Sequence, residues 1–324
     1  MADDGRASVH ASIAKLREDV ADFWQPLHAV ARQVGEELVT VDITPFGFGD
    51  AVLPLGGDEG DGGRKEELFV MPEEREMTFE QFLTTLNDRE HFDGVPYLSH
   101  QNDSLREQLP MLYQDVPAYV DLAKDAFGNE PDAVNIWIGD ERAVSTMHKD
   151  HYENMYCVVK GQKHFTLLPP ADIVCLYESE FPSMRYRHQS SQSDSAGTEE
   201  GNEEEAARLT ALFHAKYPQH ASWRIVLSPE TGDTPWIPVD PLQIDTAKFP
   251  LAQHLKPLEC VVNAGEILYL PAMWYHRATQ LCATISVNYW HDMDFDCRYV
   301  YYNFVHDLAA KFTKQAAQAA ESSR

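Results

Sequence analysis

From Ala133 onward the chain keeps setting a short β-branched or aromatic run against a turn, and that rhythm limits the fold more than any other feature. Over residues 134–138 the apolar side chains alternate, with Val134, Ile136 and Ile138 on one face and Asn135 and Trp137 on the other. Residues 156–159 and 164–168 flank a KGQK stretch at 160–163 that reads as a hairpin turn, and Pro169-Pro170 closes the second run. Residues 258–262 and 266–270 read as another hairpin around Asn263-Ala-Gly265, and 283–290 is the last clear strand. Upstream, 38–43 and 95–98 are strand candidates, and Thr78 to Gln81 opens a short helix with a capping-box pattern, ending near Asn87. Many short strands between helical ends predict a mainly β chain, an antiparallel barrel or jelly roll.

The helical ends are distinct. Ile13, Leu16, Val20, Phe23, Trp24, Leu27 and Val30 recur at helical spacing over 8–32, with Pro26 as a kink. Val300, Phe304, Leu308 and Phe312 give 296–320 an amphipathic pattern, a face suited to a homodimer. A weaker helix is expected over 117–126. Residues 54–67 read as a loop, 189–205 as a disordered acidic insertion and 235–241 as a proline-stiffened segment. The expected division is a helical segment 1–40, a single catalytic β domain 41–295 and a C-terminal helix 296–324.

Composition narrows the function. A net charge of −26 opposes binding to nucleic acid through its phosphates. No apolar run approaches the roughly 20 residues that span a bilayer, and the N-terminus lacks the basic and apolar regions of a signal peptide. Five scattered cysteines without a CxxC pair argue against a disulfide framework or zinc knuckle. The expectation is a cytoplasmic or nuclear protein without a membrane partner.

The densest chemistry lies at 147–165, MHKDHYENMYCVVKGQKHF. His148 and Asp150 are alternate residues, so on a strand they share a face and can hold one metal ion from one side. In a jelly roll the third ligand comes from a distant strand, and His276, after an apolar strand and a proline break, is the best candidate. Two imidazoles and one carboxylate, with open positions opposite, suit non-haem Fe(II) and oxygen chemistry.

The blocks VNIWIGD, MHKDHYENMYCVVKGQKHFTLLPP, PWIPVDP, GEILYLPAMWYH and ISVNYWHDMDFD resemble the jumonji-C family of Fe(II)/2-oxoglutarate oxygenases, over about 133–301. The resemblance implies a double-stranded β-helix of the cupin type. It makes His148, Asp150 and His276 the iron ligands and sets Lys163 against the distal carboxylate of 2-oxoglutarate. Ser145, with Thr146 as its alternative, matches a hydroxyl on the same carboxylate; Asn154 and Asn288 match amides near cosubstrate and metal. Tyr97 is a further hydroxyl for 2-oxoglutarate, with Tyr156 the competing choice; Trp290 reads as packing, and His151 and His164 as structural. The implied reaction consumes O2 and 2-oxoglutarate, releases succinate and CO2, and hydroxylates a C–H bond.

Within the family the blocks are similar to those of small enzymes that hydroxylate C3 of a lysine in developmentally regulated GTP-binding proteins. A lysine substrate agrees with the acids Glu153, Asp292, Asp294 and Asp296 near the motif ends. The Pro-rich strand that members usually carry ahead of the barrel has no match here. A metal-dependent peptidase is one alternative, but it would need no cosubstrate and would leave Lys163 without a purpose. Demethylation of methyl-lysine or methyl-arginine in basic protein tails uses the same chemistry and is the other. A non-catalytic scaffold would not need all three ligands together with Lys163.

Overall fold

The computed structural model describes residues 34–56, 66–191, 202–228 and 232–322. The helix expected over 8–32 falls outside these residues, as does most of the acidic insertion.

Strands follow the β-branched and aromatic runs. In chain order they are β1 (Leu38–Thr44), β2 (Ala51–Leu55), β3 (Glu66–Met71), β4 (Glu73–Thr78), β5 (Val95–Tyr97), β6 (Ala133–Gly139), β7 (Val144–His148) and β8 (Tyr152–Lys160). There follow β9 (Gln162–Leu168), β10 (Ser179–His188), β11 (Trp223–Leu227), β12 (Asp233–Trp236), β13 (Leu258–Asn263), β14 (Glu266–Leu270), β15 (Tyr275–Gln280) and β16 (Thr284–Asp292). The helices are α1 (Phe79–Asn87), α2 (Ser104–Gln108), α3 (Pro110–Tyr113), α4 (Asp121–Phe127), α5 (Ile173–Leu176), α6 (Asn202–Lys216) and α7 (Cys297–Ser322). The capping box opens α1 as its sequence predicts: Thr78 Oγ1 accepts from the Gln81 amide, and Gln81 Oε1 accepts from the Thr78 amide.

These elements form two compact units. The described residues of the first lie within 1–47, 74–170 and 256–299. Its centre is a pair of four-stranded antiparallel sheets, ordered β13-β9-β15-β7 and β14-β8-β16-β6. Strands β6 to β9 alternate between the two sheets and so do β13 to β16, with β9 and β13 paired in one sheet, which is the double-stranded β-helix of a cupin-like jelly roll. The mainly β fold class predicted from the strand rhythm is therefore the one present.

The two expected hairpins are not hairpins. β8 and β9 lie in different sheets, as do β13 and β14, so each turn carries the chain across the sandwich instead of back along a ladder. Gly161 makes the first crossing in a single residue at φ +79°, and a Cβ there would stand 2.5 Å from the Ala283 carbonyl oxygen. Between the sheets lies a core that includes Tyr97, Trp137, Tyr156, Phe165, Leu167 and Ala278. A three-stranded sheet, β4-β1-β5, supplies Tyr97 from outside the two main sheets, and Leu98 bridges to Ile138 on β6.

The second unit, within 48–73, 171–255 and 300–324, carries the sheet β11-β10-β3-β2, with β12 pairing the first half of β10. β10 runs parallel to β3, and α6 packs on β11 through Thr210, whose hydroxyl bonds the Ile225 backbone. Sequence patterning missed β10 because Pro182, Arg185 and Arg187 interrupt its apolar residues. Residues 202–205, read as part of the insertion, already belong to α6; Glu203, Glu204 and Glu205 suit the positive end of its dipole.

Candidate active site

β7 ends on His148, and Asp150 lies just beyond it. β15 runs antiparallel to β7 and sets His276 directly opposite His148. The two imidazole centroids are 4.2 Å apart, and Asp150 Oδ2 lies 3.6 Å from His276 Nε2 and 4.0 Å from His148 Nε2. All three donor atoms fall within 4.8 Å of one another. Each ring is held from behind: His148 Nδ1 bonds the Thr146 carbonyl at 2.6 Å, and His276 Nδ1 bonds the Trp274 carbonyl at 3.0 Å. A carbonyl can only accept, so each Nδ1 carries a proton, which leaves Nε2 of each ring as the atom that can serve a metal. Burial, followed by the neighbouring His148, pushes His276 down to about 4, which keeps it a neutral donor near pH 7.

The turn before β15 is tied to the Asp150 loop. The Met273 amide donates to the Asp150 carbonyl at 2.8 Å, and Glu153 Oε2 accepts from the Ala272 amide at 3.1 Å and from Tyr269 Oη at 2.7 Å. Met273 takes a left-handed φ of +67° in this turn. Two imidazoles and a carboxylate on one face, with both tautomers fixed, fit Fe(II).

Lys163 stands deeper in the same sandwich and is 2% exposed, far from the turn lysine that its sequence context suggests. Its ammonium donates to Tyr156 Oη at 2.5 Å and to Tyr97 Oη at 2.9 Å, beside the Trp137 ring. Burial draws Lys163 down to about 7 and raises both phenols, so the tyrosines stay neutral and can accept. Tyr156 Oη shares a 2.8 Å hydrogen bond with Ser286 Oγ, and the Gln280 and Ser145 side chains lie close enough to the Tyr97 phenol to oppose part of the rise that burial causes.

A β-bulge explains how Ser145 joins this group. His276 and Ala278 are two residues apart on β15, yet their partners His148 and Ser145 are three apart on β7. The extra residue restores Ser145 to the face that His148 occupies, despite their odd spacing. Asn288 and Asn154 form a relay on the inner face: Trp137 Nε1 donates to Asn288 Oδ1 at 2.8 Å, and Asn288 Nδ2 donates to Asn154 Oδ1 at 3.2 Å.

Tyr97, Ser145, Tyr156 and Lys163 thus form one cluster, His148, Asp150 and His276 a second, and Asn154 with Asn288 a polar pair on the same sheet face. His151 and His164 lie apart from both: His151 packs on the Phe295 and Tyr299 rings, and His164 Nε2 meets Glu259 at 2.6 Å. Sequence reasoning missed Trp137, Ser286 and Gln280 as neighbours of Lys163. For Ser286 the available signal was parity, since Ser286 and Asn288 are polar residues on alternate positions of the otherwise apolar run 285–290.

The fold and site define a cupin-like protein with a metal-binding face, and residues 15–297 match the cupin-like domain family. The chain belongs to this family and, within it, to the jumonji-C 2-oxoglutarate oxygenases. It is 36% identical to the Homo sapiens bifunctional peptidase and (3S)-lysyl hydroxylase JMJD7, over 85% of this chain and 74% of that protein. It is 36% identical to JmjC domain-containing protein E of Dictyostelium discoideum, over 86% and 75% respectively. It is also 33% identical to the Arabidopsis thaliana lysine-specific demethylase JMJ32, over 89% and 76%. Among the described residues no helix is long and apolar enough to cross a membrane.

Proposed function

We propose that this chain is an Fe(II)- and 2-oxoglutarate-dependent protein hydroxylase that acts at C3 of a lysine. His148, Asp150 and His276 hold the iron, which when bound supplies the oxygen activation for breaking a C–H bond. The buried Lys163 carries the assignment. An ammonium at the bottom of an apolar sandwich, held by Tyr97 and Tyr156, gives a dicarboxylate the counter-charge that a water-using peptidase would not need. Tyr97, Tyr156 and Ser145 orient that carboxylate, and Asn154 and Asn288 supply amides beside it. The lysine preference is supported by the relative named as a (3S)-lysyl hydroxylase, and a GTP-binding protein is the substrate that the motif resemblance implies. The proposed catalytic domain spans residues 41–295.

The test incubates purified protein with a developmentally regulated GTP-binding protein, Fe(II), ascorbate and 2-oxoglutarate, followed by mass spectrometry. A gain of one oxygen on lysine, absent in Asp150→Ala, is expected. Substrate cleavage without 2-oxoglutarate would instead establish the peptidase. A second reading rests on the relative named as a lysine-specific demethylase. Loss of a methyl group from a methyl-lysine peptide, with formaldehyde released and no hydroxylysine formed, would favour it.

A further inference from the structure

Trp290 packs against a second aromatic ring. It lies on the inner face of β16, sharing parity with Asn288, and stacks on Tyr152 of β8 with centroids 4.8 Å apart and planes 5° from parallel. The indole is 6% exposed, yet among the described residues its Nε1 has no hydrogen-bond partner. A buried donor left unpaired is costly unless a ligand completes it.

Two carboxylates flank this aromatic pair. Asp292 is the direct cross-strand neighbour of Tyr152, and the Asp132 amide donates to the Trp290 carbonyl at 2.7 Å. Both side chains are exposed, and among the described residues neither is paired with a basic side chain. Arg106 uses its guanidinium on the Asp103 carboxylate and on the Asp132 backbone carbonyl.

We infer that Tyr152, Trp290, Asp132 and Asp292 form the pocket for the substrate's lysine, an inference that rests on the lysyl hydroxylase reading. Trp290 Nε1 donates to a main-chain carbonyl of the substrate, the Tyr152 face packs on the aliphatic stem, and the two carboxylates receive the ammonium. Oxidation at C3 keeps the peptide main chain close to the metal, so the stem and its charge must extend away from it along a wall of this kind. An aromatic face beside unpaired carboxylates suits a primary ammonium on an apolar stem.

The test compares binding with turnover. Arrays of peptides, each centred on one lysine, and matching arrays with norleucine are titrated into the protein without oxygen, and binders are measured by calorimetry. Wild type is expected to prefer lysine. Asp292→Asn and Asp132→Asn each weaken lysine peptides about tenfold and leave norleucine peptides unchanged, and the double variant loses the preference. Trp290→Phe keeps the stack but removes the donor, so it weakens lysine and norleucine peptides alike. Circular dichroism establishes that each variant is folded. If lysine peptides are bound and hydroxylated but the aspartate variants keep the wild-type preference, the pocket is refuted while the hydroxylase reading stands. If wild type binds lysine and norleucine equally and hydroxylates neither, both fall.

Discussion

Lys163 connects burial to chemistry through its charge. Burial draws it down to about 7, so the ammonium predominates only at lower pH. A dicarboxylate needs the charged form, and binding it favours that form. Affinity for 2-oxoglutarate should therefore be flat below pH 7 and fall about tenfold per unit as pH rises above it, with a proton taken up on binding. Calorimetry in buffers of different ionisation enthalpy reads both effects, and Lys163→Met should abolish them. Constant affinity from pH 7 to 9 would count against this account. Gly139 offers a second residue-scale test, because a Cβ there would meet the Tyr97 ring at 2.6 Å. Gly139→Ala should push Tyr97 off Lys163 and raise KM for 2-oxoglutarate more than it lowers the melting temperature.

Among the elements, the single-residue crossing between β8 and β9 sets where Lys163 lands. With a positive φ and the Ala283 carbonyl in the way, Gly161→Ala should cost about 3 kcal/mol, measured by urea unfolding. Thr78→Ala, which removes only the cap of α1, should cost about 1 kcal/mol in the same assay. The contrast separates a crossing on which the sandwich depends from a helix end that water can partly satisfy. The bulge in β7 works on the same scale: one inserted residue brings a hydroxyl and a metal donor to one face.

At the scale of the molecule, α7 presents Val300, Phe304 and Phe312 at 65%, 63% and 61% exposure. An apolar row this open calls for a partner, and we propose that a second copy of the chain covers it through a two-fold contact. Sedimentation equilibrium at micromolar concentration should give a dimer, and Phe304→Asp a monomer. A wild-type monomer at that concentration would rule the contact out.

The strand rhythm determined a mainly β jelly roll, and the His148, Asp150 and His276 pattern was legible because metal donors keep their spacing at strand ends. The capping box of α1 and the periodicity of α7 were legible for the same reason: each is set by neighbours within a few residues. Other features were not local. Two turns that read as hairpins turned out to cross between sheets, since a short Gly-containing turn permits either and only the pairing of distant strands selects one. Whether Ser145 or Thr146 faces inward depended on a bulge defined by β15, more than a hundred residues later in the chain. Lys163 looked like a turn lysine because its burial comes from Tyr97, Trp137 and Tyr156, which tertiary packing alone gathers around it.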